Sequence, residues 1–415
     1  MFSSLIPPDK HRMFGFIVCV IVFELLTYLA SDLMMPAMLG VVDELGASAA
    51  HVPAAFYLYL IGGILVQWLI GPVSDRFGRR PLLLIGCALF TLACGAMVLV
   101  PNIQAFQWLR VLQGMGLGFV IAVSYPALQE LFCEADAVRL MALLGNMALL
   151  SPLLGPLLGS LLLEWLSWRE LFWLLACIGA LTWLGLYGCM PETLARDAAT
   201  PALRLGAIAQ GYLALLRNRR FVTASLALGV MGLPLVAWIG LSPLLLIEQL
   251  GMSSVGYGLA QVPVFAAVIV GNLLLGRLIA RLSLSQVLRH GLWPLAAGLG
   301  LLAPLSAFDR PLAALLTGLS LYGVGLGMSH ATLYRLAMNA SGHSKGLVSA
   351  LIGMISISVM GVGAALLTVA GAGQSPSAFA LLASLAGLLY LLLITWLLRL
   401  PPATDSNVDP RDVLS

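Results

Sequence analysis

Long runs of uncharged, mostly apolar residues alternate along this chain with short polar segments. A helix needs about 20 apolar residues to cross the hydrocarbon core of a bilayer. Uncharged runs of that size recur along the chain, from the first at 45–74 to the last at 346–398. Proline, glycine and polar clusters divide the longest of these runs. The pattern predicts twelve membrane-spanning helices, whereas a transmembrane barrel would need short alternating segments. The predicted spans are 13–42, 52–72, 82–100, 104–130, 139–162, 170–190, 221–247, 256–280, 287–307, 311–338, 346–370 and 377–398.

The longest polar segment, 191–220, divides these spans into two sets of six. We therefore predict an all-α membrane protein with twelve transmembrane helices in two pseudo-symmetric six-helix bundles. The N-terminal bundle covers 1–190, the segment 191–220 is a cytoplasmic linker, and the C-terminal bundle covers 221–415.

Weak internal repeats relate the two halves. Gly71–Arg76 has a counterpart in Gly276–Arg281, and Gly114–Gly118 has one in Gly323–Gly327. Two similar bundles across one linker are typical of transporters, with the site where the repeats meet. In the second half Ala280 stands at the position of Asp75 and Leu319 at that of Arg110, so the N-terminal bundle is the predicted proton-coupling half.

The composition agrees with a membrane protein. Of the 415 residues, 60% are hydrophobic and 9% are charged, compared with about 25% charged residues in soluble domains. These values exclude a soluble enzyme, a disordered protein and a nucleic-acid-binding protein. The six cysteines lie mostly in apolar runs and are predicted to be buried thiols, and no His/Cys pattern indicates a metal site.

Lysine and arginine indicate the orientation, because cytoplasmic loops carry an excess of both. With both termini inside, 18 of the 21 basic residues fall on the cytoplasmic side. Arg169 and Arg310 fall outside, and Arg110 lies within a span. The opposite orientation would reverse this distribution, so both termini are predicted to be cytoplasmic.

Two acidic residues lie within the first span. Glu24, Tyr28 and Asp32 fall within about 80° of one helix face, and the acids are about 12 Å apart along the axis. Charges in hydrocarbon are costly, so such residues face the bundle interior or a water-filled cavity. Desolvation favours the neutral carboxyl, which predicts that each acid takes up and releases protons. Alternatively, Asp32 lies near the outer interface and only solvates that end of the helix.

Pro36 adds to the interpretation of Asp32. Proline has no N–H, so the carbonyl of Asp32 loses its usual helical partner. A freed carbonyl beside an acid is typical of a hinge or of a cavity that faces cations. The alternative is simply a proline near a helix end.

Arg110 is the only basic residue deep in a predicted span, about 12 Å below the outer surface. Its guanidinium stays charged, so it must find carbonyls, amides or an acid. Gln113, one turn further on, and the first-span acids are the predicted partners. A structural hydrogen-bond hub and a role in coupling are both compatible with this position.

The sequence Gly71-Pro-Val-Ser-Asp-Arg-Phe-Gly-Arg-Arg80 is predicted to form the loop between the second and third spans. Gly78 allows a tight turn, and Asp75 can pair with nearby arginines or cap a helix. We predict that Asp75, Arg76 and Arg79 contribute to gating at the cytoplasmic mouth.

This loop resembles the signature loop of the major facilitator superfamily. Arg110-Val-Leu-Gln-Gly resembles the fourth-helix motif of its proton-coupled members, and Ser151-Pro-Leu-Leu-Gly-Pro-Leu-Leu-Gly159 resembles the fifth-helix motif of its drug/proton antiporters. Glu24–Pro36 and Gln67–Asp75 are similar to the multidrug antiporters of the MdfA type. Ser31 differs from the asparagine that those relatives often have before the second acid.

The resemblance implies a proton-coupled exporter of lipophilic and cationic drugs in the bacterial inner membrane. It would work by alternating access as a monomer, driven by the proton motive force without a cofactor or a metal. The implied partners are small-molecule drugs, protons and the lipid bilayer, with no nucleic acid. Proton coupling is assigned to Glu24, Asp32 and Arg110. The expected substrate-binding residues are Tyr28, Asp32, Gln113, Tyr125, Asn146, Pro152, Tyr257 and Gln261.

Two other functions are weighed against export. Uptake of a metabolite by symport would need a specific polar site rather than a wide apolar one. A membrane-embedded hydrolase or acyltransferase would need a nucleophile and a base at depth. His330 is the only candidate histidine well inside a span, and no acid in its own span supports it.

Overall fold

The computed structural model describes residues 10–193, 205–279, 281–304, 311–343 and 345–400. A helix occupies each of the twelve predicted spans within this part of the chain, which agrees with the all-α prediction. Residue contacts divide the chain into two compact units, Met1–Leu203 and Arg204–Ser415. The boundary between the units falls inside the segment 191–220.

The described part of the N-terminal unit contains eight α-helices, because two of its spans are interrupted. They are α1 (Lys10–Asp32), α2 (Met38–Glu44), α3 (Val52–Phe77), α4 (Arg79–Met97), α5 (Ile103–Phe119), α6 (Tyr125–Leu131), α7 (Glu134–Leu162) and α8 (Trp168–Cys189). Short 3-10 turns cover Met35–Ala37 and Ala49–His51, and Val120–Ser124 is π-helical.

The C-terminal unit contains seven described α-helices. They are α9 (Leu205–Arg217), α10 (Arg219–Ser242), α11 (Ser254–Leu278), α12 (Leu284–Leu302), α13 (Pro311–Met338), α14 (Lys345–Val369) and α15 (Pro376–Leu397), with a π-helical segment at Pro243–Gln249. The second half of the predicted linker is therefore the helix α9, which packs on α14 where Gly211 meets Leu347.

Ten of the described helical segments are long and apolar enough to cross a membrane, and the bent helix α7 makes an eleventh. The one remaining predicted span, 287–307, corresponds to α12, which has 19 residues. Its first two turns carry Gln286, Arg289 and His290, which lower its mean hydropathy.

The first span is broken beside Asp32, as the position of Pro36 predicts. Helix α1 ends at Asp32, a 3-10 turn contains Pro36, and α2 continues from Met38. A proline ring clashes with the carbonyl four residues before it and offers no N–H. The break thus exposes backbone carbonyls at the level of a buried acid.

The fourth span changes its winding just before Tyr125. Helix α5 ends at Phe119, and the π-helical residues Val120–Ser124 lead into α6, which has Pro126 in its first turn. π-helical turns are rare and occur frequently at functional sites.

The predicted loop between the second and third spans is largely helical, which corrects the prediction. Helix α3 continues through Pro72 to Phe77, and α4 begins at Arg79, so Gly78 alone makes the turn. Its φ of 107° is accessible to glycine and strained for other residues. Hydropathy placed the end of the span too early, because this helix continues past its apolar part with polar residues.

The internal repeats make the same contact in each unit. In the N-terminal unit a Cβ on Gly114 or Gly118 would collide with the backbone of Tyr59 or Gly63, so α5 lies directly against α3. In the C-terminal unit the matching Gly323 and Gly327 lie against Val264 and Val268, so α13 packs on α11 in the same way. The weak sequence repeat therefore reflects a shared helix–helix packing.

All six cysteines are free. Cys87 and Cys94 are buried as predicted, but Cys133 and Cys177 are exposed on the surface of the protein. An apolar run in a membrane helix includes the face turned away from the bundle, so an apolar neighbourhood in the sequence does not require burial in the protein.

Candidate functional site

Glu24 lies on α1, fully buried in the N-terminal unit. The hydroxyl of Tyr125, the first residue of α6, donates a hydrogen bond of 3.1 Å to its Oε1 atom. Its Oε2 atom is buried without a hydrogen-bond partner among the described residues. A buried carboxyl oxygen in this situation is ready to accept a proton, a water molecule or a cationic group.

Asp32, at the end of α1, is buried against α7. The hydroxyl of Ser151 donates a hydrogen bond of 2.6 Å to its Oδ2 atom. Gly155 and Gly159 allow this approach, because a Cβ on either would collide with Asp32 or with the backbone of Leu33. The small residues of the fifth-helix motif therefore hold α7 directly against the second acid.

Arg110 on α5 is fully buried and its guanidinium is held by backbone carbonyls. Nη1 donates to the carbonyl of Ala30 at 2.9 Å and Nε donates to that of Ala55 at 3.1 Å. Nη1 also donates to Oε1 of Gln113 at 2.6 Å, which confirms that predicted partner. The last turn of α1 has free carbonyls and a partial negative charge, and the guanidinium complements both.

The alternative partners of Arg110 were the first-span acids. Within the described part of the chain no ion pair joins Arg110 to Glu24 or Asp32. The guanidinium reaches the carbonyl of Ala30, two residues before Asp32, and lies 4.9 Å from the centre of the Tyr59 ring. Arg110 is thus close to the acids but does not neutralise either through a direct contact.

A hydrogen-bonded chain connects the surroundings of Glu24 and Arg110. Thr27 donates to the carbonyl of Glu24 at 2.8 Å, and the hydroxyl of Tyr59 donates to the carbonyl of Thr27. The ring of Tyr59 in turn faces Arg110. Sequence analysis selected neither Thr27 nor Tyr59 as a site residue.

The remaining predicted substrate-binding residues of this unit differ in burial. Tyr28, Tyr125 and Pro152 are half-buried, and Gln113 is buried and donates to the Cys94 sulfur at 3.1 Å. Asn146 lies in α7, but its side chain is outside the part of the structure that is described.

In the C-terminal unit, Tyr257 and Gln261 are both buried on α11. Trp238 Nε1 donates to Gln261 Oε1 at 2.6 Å, and Gln261 Nε2 donates to Ser242 Oγ at 3.1 Å. Ser242 is also 3.4 Å from the hydroxyl of Tyr257. The two predicted residues thus belong to one polar network, and Trp238 is a member that sequence analysis missed.

The predicted gating residues lie where α3 turns into α4. Arg79 is buried and pairs with Asp75 at 2.6 Å and with Glu130, on α6, at 2.9 Å. Its guanidinium also donates to Ser74. Arg76 is separate, with its guanidinium 5.4 Å from the centre of the Phe77 ring.

The residues after α8 complete this cluster. Glu192 accepts a hydrogen bond of 2.9 Å from the backbone N–H of Arg79, at the N-terminus of α4, and Thr193 donates to Glu130. A Cβ on Gly78 would collide with the Glu192 carboxylate, so the turn needs glycine for contact as well as for φ. Glu130, Glu192 and Thr193 were not predicted, because nothing in the local sequence connects them to the motif.

Metal binding finds no support in the described residues, which contain no group of three or more His, Cys, Asp or Glu side chains able to hold an ion. The chemistry available at the site is therefore proton exchange by carboxyl groups and binding by aromatic, amide and charged side chains.

Comparison with known proteins gives consistent matches. The family model of the Major Facilitator Superfamily matches residues 20–362. Multidrug transporter MdfA of Edwardsiella ictaluri (strain 93-146) is 42% identical over 390 residues, which cover 94% of this chain and 95% of that protein. The protein of the same name from Yersinia pestis bv. Antiqua (strain Angola) is 42% identical over 405 residues, covering 97% and 98%.

Among solved structures, a D-xylose-proton symporter matches with a TM-score of 0.73 at 15% identity, covering 95% of this chain and 99% of that one. A bacterial homologue of the human lysosomal transporter Spinster matches with a TM-score of 0.66 at 13% identity. At these identities the likeness concerns the fold alone.

Proposed function

Because the chain belongs to the Major Facilitator Superfamily, we propose that it is a proton-coupled multidrug efflux antiporter working by alternating access. Its relatives of 42% identity over nearly the whole chain are named multidrug transporters. The protein is a transporter and not an enzyme. Its substrates would be lipophilic and cationic compounds, which the two acids and the half-buried tyrosines of the N-terminal unit suit.

The observation that carries this proposal is the environment of the two acids. Each carboxyl is buried and hydrogen-bonded to a hydroxyl, Tyr125 for Glu24 and Ser151 for Asp32. A hydroxyl donates to a carboxylate and accepts from a protonated carboxyl, so both protonation states keep a hydrogen bond. A direct arginine partner would favour only the charged state. This arrangement supports reversible protonation.

The proposed cycle follows from charge. When the site faces outward, protons bind to Glu24 or Asp32 and reduce the negative charge that holds a cationic drug, so the drug leaves. When the site faces inward, drug binding favours the charged carboxylates, so protons leave. Drug and proton thus compete for the same charges, and binding of one lowers the affinity for the other.

Arg110 is proposed to support coupling by fixing the end of α1. Its hydrogen bonds to the carbonyls of Ala30 and Ala55 tie α1 and α3 to α5. Its permanent positive charge lies close to Asp32 and lowers the free energy of the charged carboxylate. Because Arg110 makes no direct ion pair with Asp32, the carboxylate is still able to take up a proton.

The cluster around Arg79 is proposed to be the cytoplasmic gate. One buried guanidinium joins Asp75 of α3 to Glu130 of α6, and Glu192 caps α4 beside it. We assign the gating role to Asp75 and Arg79, with Arg76 at its edge. Both termini are proposed to lie in the cytoplasm, in the inner membrane of a bacterium, and the working unit is proposed to be a monomer without a cofactor.

Drug-driven proton release from the purified full chain tests the proposal. We expect the lipophilic cation tetraphenylphosphonium to release protons from the detergent-solubilised protein, measured with a pH indicator in weak buffer. Asp32→Asn should abolish most of this release, because the substituted side chain holds no exchangeable carboxyl proton. Asp136→Asn, which alters an exposed acid of α7, is the matched control and should release as the wild type does. Undiminished release by Asp32→Asn together with Glu24→Gln would contradict the proposed coupling.

A further inference from the structure

An ion pair lies at the end of the N-terminal unit opposite to Gly78. Glu44 is the last residue of α2, and Trp168 and Arg169 begin α8. The Glu44 carboxylate pairs with Arg169 through Oε1 and accepts a hydrogen bond from Trp168 Nε1 through Oε2. We call these three residues the clamp.

The clamp also reaches α4 and the aromatic core. Arg169 Nε donates to the carbonyl of Val98, directly after α4, at 3.1 Å, and its guanidinium lies 4.2 Å from the centre of the Trp168 ring. The Trp168 ring packs edge-to-face against Phe106 and Phe172 at 6.0 and 6.2 Å. The end of α2 is thus attached to a rigid part of the unit.

An ion pair this exposed contributes little to global stability. The side chains of Arg169 and Glu44 are 29% and 51% exposed, and such pairs are weak on average. Both carboxylate oxygens are used, however, and a carbonyl and a ring face hold the guanidinium in addition. Contacts of this kind fix geometry more than they add stability.

Helix α2 needs such an attachment because the chain is broken between it and α1. No continuous ladder of helical hydrogen bonds crosses the turn at Pro36, so the direction of α2 depends on its contacts. At the near end, the backbone of Leu33 packs on Gly159 of α7. At the far end, Glu44 is held by the clamp. The segment from Asp32 to Glu44 is therefore fixed at both ends.

The position of Arg169 is unusual in the sequence. It is one of two basic residues predicted on the outer side, against 18 predicted on the inner side. A basic residue there opposes the charge distribution that orients the chain. The predicted membrane orientation does not explain the position of Arg169, whereas the contact with Glu44 does.

We propose that Glu44, Trp168 and Arg169 are positioning residues for Asp32. The clamp holds the outer part of the first span, which keeps the Asp32 carboxyl against Ser151 and determines the pH at which it exchanges its proton. Among the described residues, the other ionisable side chains that interact with Asp32 are Tyr28 of α1, Tyr59 of α3 and Arg110 of α5. This inference rests on the proposed coupling role of Asp32.

The test is the pH dependence of proton release on addition of tetraphenylphosphonium to the purified full chain. Glu44→Gln keeps an acceptor for Trp168 and removes the ion pair, and Arg169→Gln removes the ion pair from the other side. We expect both to move the pH midpoint of release downward by about half a unit, a roughly threefold change in proton affinity. A loosened first span would let water reach the Asp32 carboxyl and favour its charged form. Arg139→Gln breaks the exposed Arg139–Asp136 pair and should leave the midpoint unchanged.

The reversed pair Glu44→Arg with Arg169→Glu separates geometry from charge. It restores an ion pair, so its midpoint should return towards that of the wild type. Thermal unfolding followed by tryptophan fluorescence should show that all variants remain folded. Midpoints of Glu44→Gln and Arg169→Gln equal to that of the wild type would overturn the clamp, as would a reversed pair shifted as far as the single variants. If Asp32→Asn still abolishes release in that case, the proposed function stands and only the clamp fails.

Discussion

At the scale of single residues, Glu24, Asp32 and Arg110 are hydrogen-bonded to uncharged groups, which allow the two acids to change their protonation state. Glu24 and Asp32 each have a hydroxyl partner, and Arg110 has carbonyls and the amide of Gln113. A hydroxyl accommodates both protonation states of a carboxyl. Backbone carbonyls bind the Arg110 guanidinium through hydrogen bonds, so neither acid has to form an ion pair with it. These partners suit the proton exchange that we propose for the two carboxyls of α1.

Glu24→Gln is expected to separate drugs by charge. In the wild type, the Oε2 atom of Glu24 has no hydrogen-bond partner among the described residues and offers a negative partner to a cationic drug. It offers nothing comparable to an uncharged drug. Export of tetraphenylphosphonium should therefore fall at least tenfold, while export of the uncharged drug chloramphenicol should change little. The measurement is transport into inverted membrane vesicles energised by a pH gradient. Equal losses for both drugs would show that Glu24 does not discriminate by charge.

Arg110→Ala is expected to lose transport while retaining part of its drug binding. The substitution frees the carbonyls of Ala30 and Ala55 and removes the charge beside Asp32. Arg110→Lys should restore transport only in part, because an ammonium cannot reproduce the planar array of donors. Binding of tetraphenylphosphonium and its transport should be measured on the same preparations. Full transport by Arg110→Ala would reduce the role of Arg110 to packing.

At the scale of elements, the two acids proposed to exchange protons lie beside interruptions of regular helix. The break at Pro36 ends α1 at Asp32, and the π-helical turn before Tyr125 rewinds the fourth span beside Glu24. Each acid thus lies next to an irregular segment. Regular helices packed through glycine surround both of these irregular segments.

Gly118→Ala tests the packing of α5 on α3. A Cβ at this position would lie 2.5 Å from the carbonyl oxygen of Gly63, so the helices must move apart. We expect a loss of about 1–3 kcal/mol in the free energy of unfolding, typical of overpacking. Transport should fall too, because Arg110 lies on the displaced helix. Gly276→Ala is the control, since a Cβ there meets nothing within 4 Å. Equal stability of the two variants would contradict this packing argument.

At the scale of the whole molecule, two units share one packing scheme but not one chemistry. The glycine contacts of α5 on α3 recur in α13 on α11. Among the described residues, the buried acids and Arg110 belong to the N-terminal unit alone, whereas the Tyr257–Gln261 network of the C-terminal unit is uncharged. This difference supports our proposal that proton exchange takes place in the first unit.

Asp75→Asn is expected to shift the population between the two arrangements of the transporter. It weakens the bond to Arg79 that we assign to the closed cytoplasmic gate, so the inward-facing state should gain population. Spin labels near Arg76 and Lys345, measured by pulsed electron resonance, should report a larger share of long distances. Transport should slow, with intrinsic drug affinity nearly unchanged. An unaltered distance distribution would remove the gating role and leave the cluster structural.

The sequence by itself determined the number and order of the spans, the position of the proline that interrupts the first of them and the presence of two acids within it. These features depend on local physics: apolar length, a missing N–H and the cost of a charge in hydrocarbon. The same local signals predicted Gln113 as a partner of Arg110, because one helical turn separates the two.

Only the tertiary structure decided which partners those residues have. Ser151, Tyr59, Glu130 and Glu192 meet Asp32, Arg110 or Arg79 from segments distant in the chain. Hydropathy also ended the second span early and did not predict the helix α9 within the linker. A contact between distant segments depends on how helices pack, and no local pattern encodes that packing. The charges could thus be located from the sequence, and their neutral hydroxyl and carbonyl partners could not.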